Sequence, residues 1–269
     1  MSKKWMVVIA LLAVAYLIGC TRVPITNRRQ VNLVGENQMI GMSLQAYSDF
    51  LSQNQVLPET DSRTQMVRRI GSNIQKSVDK YLADSGQIKR VEGFQWEFNV
   101  VNDPSVNAWC MPGGKVVVYT GILPVTQDEQ SLAVVMGHEI AHAVARHGNE
   151  RMSQGLLVSA AGATIGAVMS ESPQLARDIF LQSYGIGSTL GMLSYSRTHE
   201  SEADKLGLVF MAIAGYDPRA SIGFWERMSA SGGAAPPELL STHPSDETRI
   251  NSLKEFMPEA LKFYKPAAN

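Results

Sequence analysis

Residues 138–142 read His-Glu-Ile-Ala-His, and no other stretch of this 269-residue chain limits its fold so tightly. Two histidines four positions apart can face one point in space only from an α-helix, where they sit about 40° apart round the axis. Imidazoles so placed bind a metal ion, and Glu139, one step round, lies close enough to touch a water on that ion. With 5 histidines in the chain, chance would produce the pattern only roughly 0.005 times. The flanking residues are helical as well: Asp128 marks a start, and Leu132, Val135, Met136, Ile140 and Val144 recur at helical spacing as far as Arg146.

A catalytic site of this kind takes three protein ligands and leaves one position open. His147 comes five residues after His142, about 140° off the ligand face, and Gly148 stands where an elongated HExxHxxGxxH motif places its third histidine. The remaining candidate is Glu200-Ser201-Glu202-Ala203-Asp204, on a helix predicted over 199–214. Glu200 and Asp204 share a face of it and Glu202 turns away. Glu200 is therefore the expected third ligand, and Asp204 the expected acceptor for the second ring N–H of a bound histidine.

Elsewhere the pattern is mostly helical with a little sheet. Amphipathic periodicity predicts helices over 36–54 and 61–83, one from Asp217-Pro218 to Met228, and one over 248–257. Alternation over 94–101 and the β-branched run from Lys115 to Tyr119, opened by Pro112-Gly113-Gly114, predict strands of a small sheet. Gly114, Lys115, Val116 and Val117 read as an edge strand, on which an extended polypeptide substrate could pair. The apolar stretches 155–169 and 185–193, rich in small residues, are too short to span a bilayer and fit a packed helix, a lid over a site or a membrane-dipping hairpin. The run 232–237 reads as a loop. The class expected is α+β.

The first residues concern address. Lys3 and Lys4 precede an apolar run from Trp5 to Ile18, followed by Gly19 and Cys20, which reads as a signal peptide over residues 1–19 with a lipobox. Cys20 is then the expected lipidated residue that holds the chain on a bilayer, residues 20–35 a spacer, and residues 36–269 a single domain. Thr21 after Cys20 resembles the sorting signal for the outer membrane, facing the periplasm, in a Gram-negative source. Cys110 is left without a disulfide partner once Cys20 is modified. Formal charge is −1, from 24 basic and 25 acidic residues. No basic excess exists to track phosphates, so nucleic acid is excluded as a partner.

At these positions the chain resembles the zinc metallopeptidase (gluzincin) family of the CAAX prenyl proteases, the Oma-type mitochondrial proteases and periplasmic bacterial lipoproteins. The resemblance rests on the HExxH helix and the downstream Glu200-x-x-x-Asp204, with support from 24–30, 106–109, 113–121, Ser196-Arg197, and Thr242-His243-Pro244 with Arg249. It implies a zincin-like fold, mostly helical, with a small mixed sheet beside the active-site helix. It further implies one zinc ion per chain on His138, His142 and Glu200, with Glu139 as base. In periplasmic relatives the histidine of the His-Pro segment approaches the metal and holds the enzyme latent, a role His243 is positioned to repeat. His243 and Arg249 are also candidate oxyanion donors. The expected activity is zinc-dependent endoproteolysis of unfolded or misassembled envelope proteins, with the outer-membrane assembly machinery as a possible partner. The alternative is an envelope assembly factor that keeps the zinc site for shape alone.

Overall fold

A computed structural model describes residues 20–159, 165–184, 195–230, 238–243 and 247–266. The signal peptide expected over 1–19, the apolar stretch 185–193, the loop 232–237 and Pro244 lie outside the described residues. Helix α1 (Glu36–Gln53) and helix α2 (Ser62–Asp84) fall within a residue of expectation. The Asp61 carboxylate caps α2 by accepting from the Arg63 N–H. Ile70, Ile74, Val78 and Leu82 of the expected stripe are buried along one face of α2, with Val67 buried in place of the partly buried Met66.

The sheet has three strands, β3 (Glu97–Val101), β4 (Ala108–Met111) and β5 (Lys115–Tyr119), in the order β3-β5-β4. β5 runs parallel to β3 and antiparallel to β4, so the sheet is mixed. This corrects the edge-strand expectation: Lys115, Val116 and Val117 lie in the central strand, hydrogen-bonded on both sides, and Gly114 sits in the turn before it. Every residue of β5 is buried, as a β-branched strand covered on both faces should be. Gly113 and Gly114 both have φ near +80°, and a Cβ on Gly114 would lie 2.7 Å from the Trp96 ring. The turn therefore requires glycine there. The outer strand on the side of the metal-binding motif is β4, which packs against the helix that carries it.

That helix, α4 (Glu129–Ala145), follows the short α3 (Leu123–Thr126) and is capped by Asp128, which accepts from the Ser131 N–H at 2.7 Å. From Ser131 to Ala145 every residue of α4 is buried, so the helix runs through the core. It ends because Arg146 takes the left-handed conformation, φ 62°. Helices α5 (His147–Ser159), α6 (Ile165–Glu171) and α7 (Pro173–Ser183) follow. The apolar stretch 155–169, where described, belongs to α5 and α6, and no helix of the described residues is long and apolar enough to cross a membrane.

Helix α8 (Arg197–Ile213) crosses α4 at glycine: a Cβ on Gly207 would lie 2.9 Å from the His138 nitrogen and 3.0 Å from the Gly137 carbonyl carbon. The two main chains touch. Helix α9 (Ala220–Ala230), α10 (Glu238–Thr242) and α11 (Glu247–Leu261) complete the order, with α11 packed on α8 and α9. Helix α9 begins later than Asp217-Pro218 because the Asp217 carboxylate is spent on a turn, accepting from the Arg219 N–H.

Residues 20–31 overturn the spacer expectation. β1 (Cys20–Arg22) and β2 (Arg29–Val31) pair antiparallel into a hairpin docked on the domain. Buried Arg90 stitches it down, donating to the carbonyls of Arg22, Val144 and Ala145 and to Gln30 Oε1 at 2.8–3.2 Å. Two of those carbonyls are at the end of α4, where a cation offsets the helix dipole.

Candidate metal centre

Helix α4 supplies His138, Glu139 and His142, α8 supplies Glu200 and Asp204, the residue after α10 is His243, and α11 supplies Arg249. The closeness of α4 and α8 at Gly137 and Gly207 brings the acidic pair of one against the histidine pair of the other. His138, Glu139, His142, Glu200 and His243 are all buried, none more than 4% exposed.

Four donor atoms, one each from His138, His142, Glu200 and His243, lie within 4.8 Å of one another. His138 Nε2 is 3.0 Å from His142 Nε2 and 3.2 Å from His243 Nδ1. Glu200 places Oε2 3.4 Å from His138 Nε2 and Oε1 3.4 Å from His142 Nε2, with Oε1 3.0 Å from His243 Nδ1. A tetrahedral zinc with bonds of about 2.0–2.1 Å has donors roughly 3.3 Å apart, so these separations match its edges. The hydrogen bonding points the same way. His138 Nδ1–H donates to Asp204 Oδ1 at 2.9 Å, which leaves Nε2 as a bare lone pair facing inward. Lone pairs and a carboxylate converging on one point, away from water, call for a cation, and the residues fit zinc.

Electrostatics separate the two carboxylates of the centre. Burial would raise Glu200, but the charges of His243 and Arg249 hold it well below the usual carboxylate range, as a ligand should be. At Glu139 the same two charges are outweighed by burial and by the neighbouring charge of Glu200. Burial pushes its carboxyl up to about 7 against the pull of His243, and its Oε1 has no hydrogen-bond partner. A carboxylate poised there can take up and release a proton near neutrality.

Arg249 is committed to the acidic pair. Its Nε and Nη2 fork onto the two Asp204 oxygens at 2.8 and 2.7 Å, Nη1 pairs with Glu200 Oε2 at 2.8 Å, and the guanidinium lies 3.4 Å above the Trp225 ring. Nη2 is 3.2 Å from His138 Nδ1 and 3.4 Å from its Nε2, so the group lies against the ligand ring itself. It holds the acidic pair in place. His243, by contrast, is in the donor set itself, its ring 4.9 Å from that of His142 and stacked on Tyr195 at 5.0 Å. The cavity behind His138, lined also by Asp204, Trp225 and Leu253, holds about 10 Å³, at most one water.

Sequence arithmetic misplaced His147. The left-handed turn at Arg146 starts a new helix, so the angle counted along α4 stops applying, and His147 Nδ1 lies 3.0 Å from His142 Nδ1. Glu202 does turn away from the metal point, as expected, but it meets the far side of His147 at 3.1 Å.

Comparison with known proteins agrees with this geometry. Residues 71–257 match Peptidase family M48. The mitochondrial metalloendopeptidase OMA1 of Schizosaccharomyces pombe is 37% identical over 251 residues, covering 92% of this chain and 69% of the relative. The human mitochondrial metalloendopeptidase OMA1 is 32% identical, covering 89% of this chain and 46% of its own. The beta-barrel assembly-enhancing protease of Escherichia coli is 32% identical over 163 residues, covering 58% of this chain and 33% of that protein. The chain thus spans less than half of the last two.

Proposed function

Since the chain belongs to peptidase family M48 and is a zinc metalloendopeptidase, we propose that it cleaves extended, unfolded or misassembled polypeptides in a cell envelope, anchored there through lipidated Cys20. The observation that carries the proteolytic part is the convergence of His138, His142 and Glu200 beside Glu139, whose Oε1 accepts no hydrogen bond and faces His243 Nε2 at 3.6 Å. Zinc, when bound, supplies Lewis acidity that polarises a scissile carbonyl and acidifies water. The residues do the rest. Glu139 takes the proton of the attacking water and returns it to the leaving amine. Asp204 and Arg249 keep His138 and Glu200 in their bonding orientation. An extended substrate is held by backbone pairing with β4, the outer strand beside α4, which reads main chain rather than side chains and suits unfolded clients. The envelope address is supported by the apolar run before Cys20 and by the name of the E. coli relative.

Incubation of the zinc-loaded chain with an unfolded polypeptide is expected to give cleavage that a chelator abolishes and added zinc restores. Cleavage that survives complete metal removal would overturn the metallopeptidase chemistry, and zinc-independent binding without cleavage would favour an assembly factor instead. His243 fills the fourth position of the donor set and must withdraw before substrate enters. With an open form populated at roughly 0.1–10%, His243→Ala should raise turnover by about tenfold or more. Unchanged turnover would exclude the latency role.

A further inference from the structure

We infer that the hairpin formed by Cys20–Val31 is a positioning element of the metal centre, acting on His142 through Arg28, Glu202 and His147. The chain of contacts is continuous. Arg28 donates from Nε to Glu202 Oε1 and from Nη2 to Glu202 Oε2, both at 2.9 Å, and Thr26 Oγ1 donates to Oε1 at 2.6 Å. The other edge of the same guanidinium spans Glu150, with Nη1 and Nη2 each 2.8 Å from its oxygens. One side chain from the hairpin thus fixes two carboxylates that lie 122 and 174 residues away in sequence.

Each carboxylate in turn holds an imidazole. Glu150 accepts from His199 Nε2–H at 3.0 Å and Glu202 accepts from His147 Nε2–H at 3.1 Å, with the two rings stacked at 4.6 Å. A neutral imidazole carries one proton. Once Glu202 claims it at Nε2, His147 Nδ1 has only a lone pair, and it faces His142 Nδ1 at 3.0 Å. His142 must therefore donate from Nδ1, which leaves its Nε2 free of hydrogen and aimed at His138 Nε2 and Glu200. His138 reaches the same state in one step, through Asp204. His142 reaches it in three, and the last lies outside the helical body, on the segment that follows Cys20. His147 and Glu202 are fully enclosed, 0% and 2% exposed, so water does not compete for these bonds.

Arg28, Glu202 and His147 touch neither substrate nor metal and act only by orienting His142. Their removal should change metal affinity before it changes the fold. Partners of metal-bound histidines typically contribute about 10–100-fold to affinity. In the full chain, Glu202→Leu, which removes the acceptor, is expected to weaken zinc binding by about 10–100-fold in competition with a chromophoric chelator, and to alter the visible spectrum of the cobalt-substituted protein. Glu202→Gln keeps an oxygen that can accept from His147 but turns an amide N–H onto Thr26 and Arg28, and is expected to lose markedly less affinity than Glu202→Leu. Arg28→Gln should shift affinity in the same direction as Glu202→Leu. The metal-free unfolding temperature of each variant separates a folding defect from a binding one, and His147→Phe poses the same question if Glu202→Leu fails to fold.

The inference rests on the zinc assignment, and the two fail differently. A wild-type chain that binds no zinc overturns both. A wild type that binds zinc beside a folded Glu202→Leu that binds it as tightly, with an unchanged cobalt spectrum, overturns the relay alone. Equal losses in Glu202→Gln and Glu202→Leu overturn the account by tautomer.

Discussion

Glu139→Gln is expected to leave zinc bound at wild-type stoichiometry while cleavage of an unfolded polypeptide falls by about 10²–10⁴-fold, the range that a positioned proton acceptor contributes. The substitution conserves shape in a packed helix and leaves His138, His142 and Glu200 untouched. What it removes is basicity at a carboxylate whose Oε1 has no hydrogen-bond partner and which burial has raised to about 7. A buried acceptor kept unsatisfied costs stability, and its retention makes sense where a reaction uses it. Metal analysis and a turnover assay on the same preparation make the check. Full activity with full zinc would assign the proton transfers to another group, and loss of zinc would assign Glu139 to the binding shell.

Arg249→Leu is expected to destabilise the metal-free chain by about 3–5 kcal/mol, read from its urea unfolding midpoint, because it leaves charges buried without their partner. Asp204 and Glu200 are 7% and 4% exposed and share this one guanidinium through three contacts of 2.7–2.8 Å. Arg249→Lys should recover little of the loss, since an ammonium cannot fork onto Asp204 while reaching Glu200 and lying flat on Trp225. Zinc added to the leucine variant should restore part of the stability by supplying positive charge to Glu200. A loss below about 1 kcal/mol would mean that the cost of burying these charges already cancels their attraction.

What could be read from residues alone was whatever depends on local period. The two histidines at i and i+4, the Glu200 and Asp204 pair at the same spacing, and the amphipathic helices all follow from 3.6 residues per turn. Contacts set by topology were not legible. The run Lys115–Tyr119 looked like an edge because glycines open it, yet three consecutive valines are better explained by cover on both faces, and β4, only four residues long, gave too little alternation to be noticed. The three-residue strands of the N-terminal hairpin carry no periodicity, and their anchor is a guanidinium reaching carboxylates far along the chain. His147 was misjudged because a non-glycine residue, Arg146, takes a left-handed backbone that no sequence rule marks.

The touching main chains of Gly137 and Gly207 determine which parts of this enzyme are free to move. Peptide groups in contact have no rotamers to exchange and no slack to take up, so the spacing between the histidines of one helix and the glutamate of the other behaves like a machinist's fixture. Admission of a substrate cannot then proceed by parting those two helices without dismantling the coordination itself. The latency proposed for His243 instead places the moving part at the end of α10, and a methyl group grafted onto Gly207 should spoil the fixture while leaving that displacement unhindered.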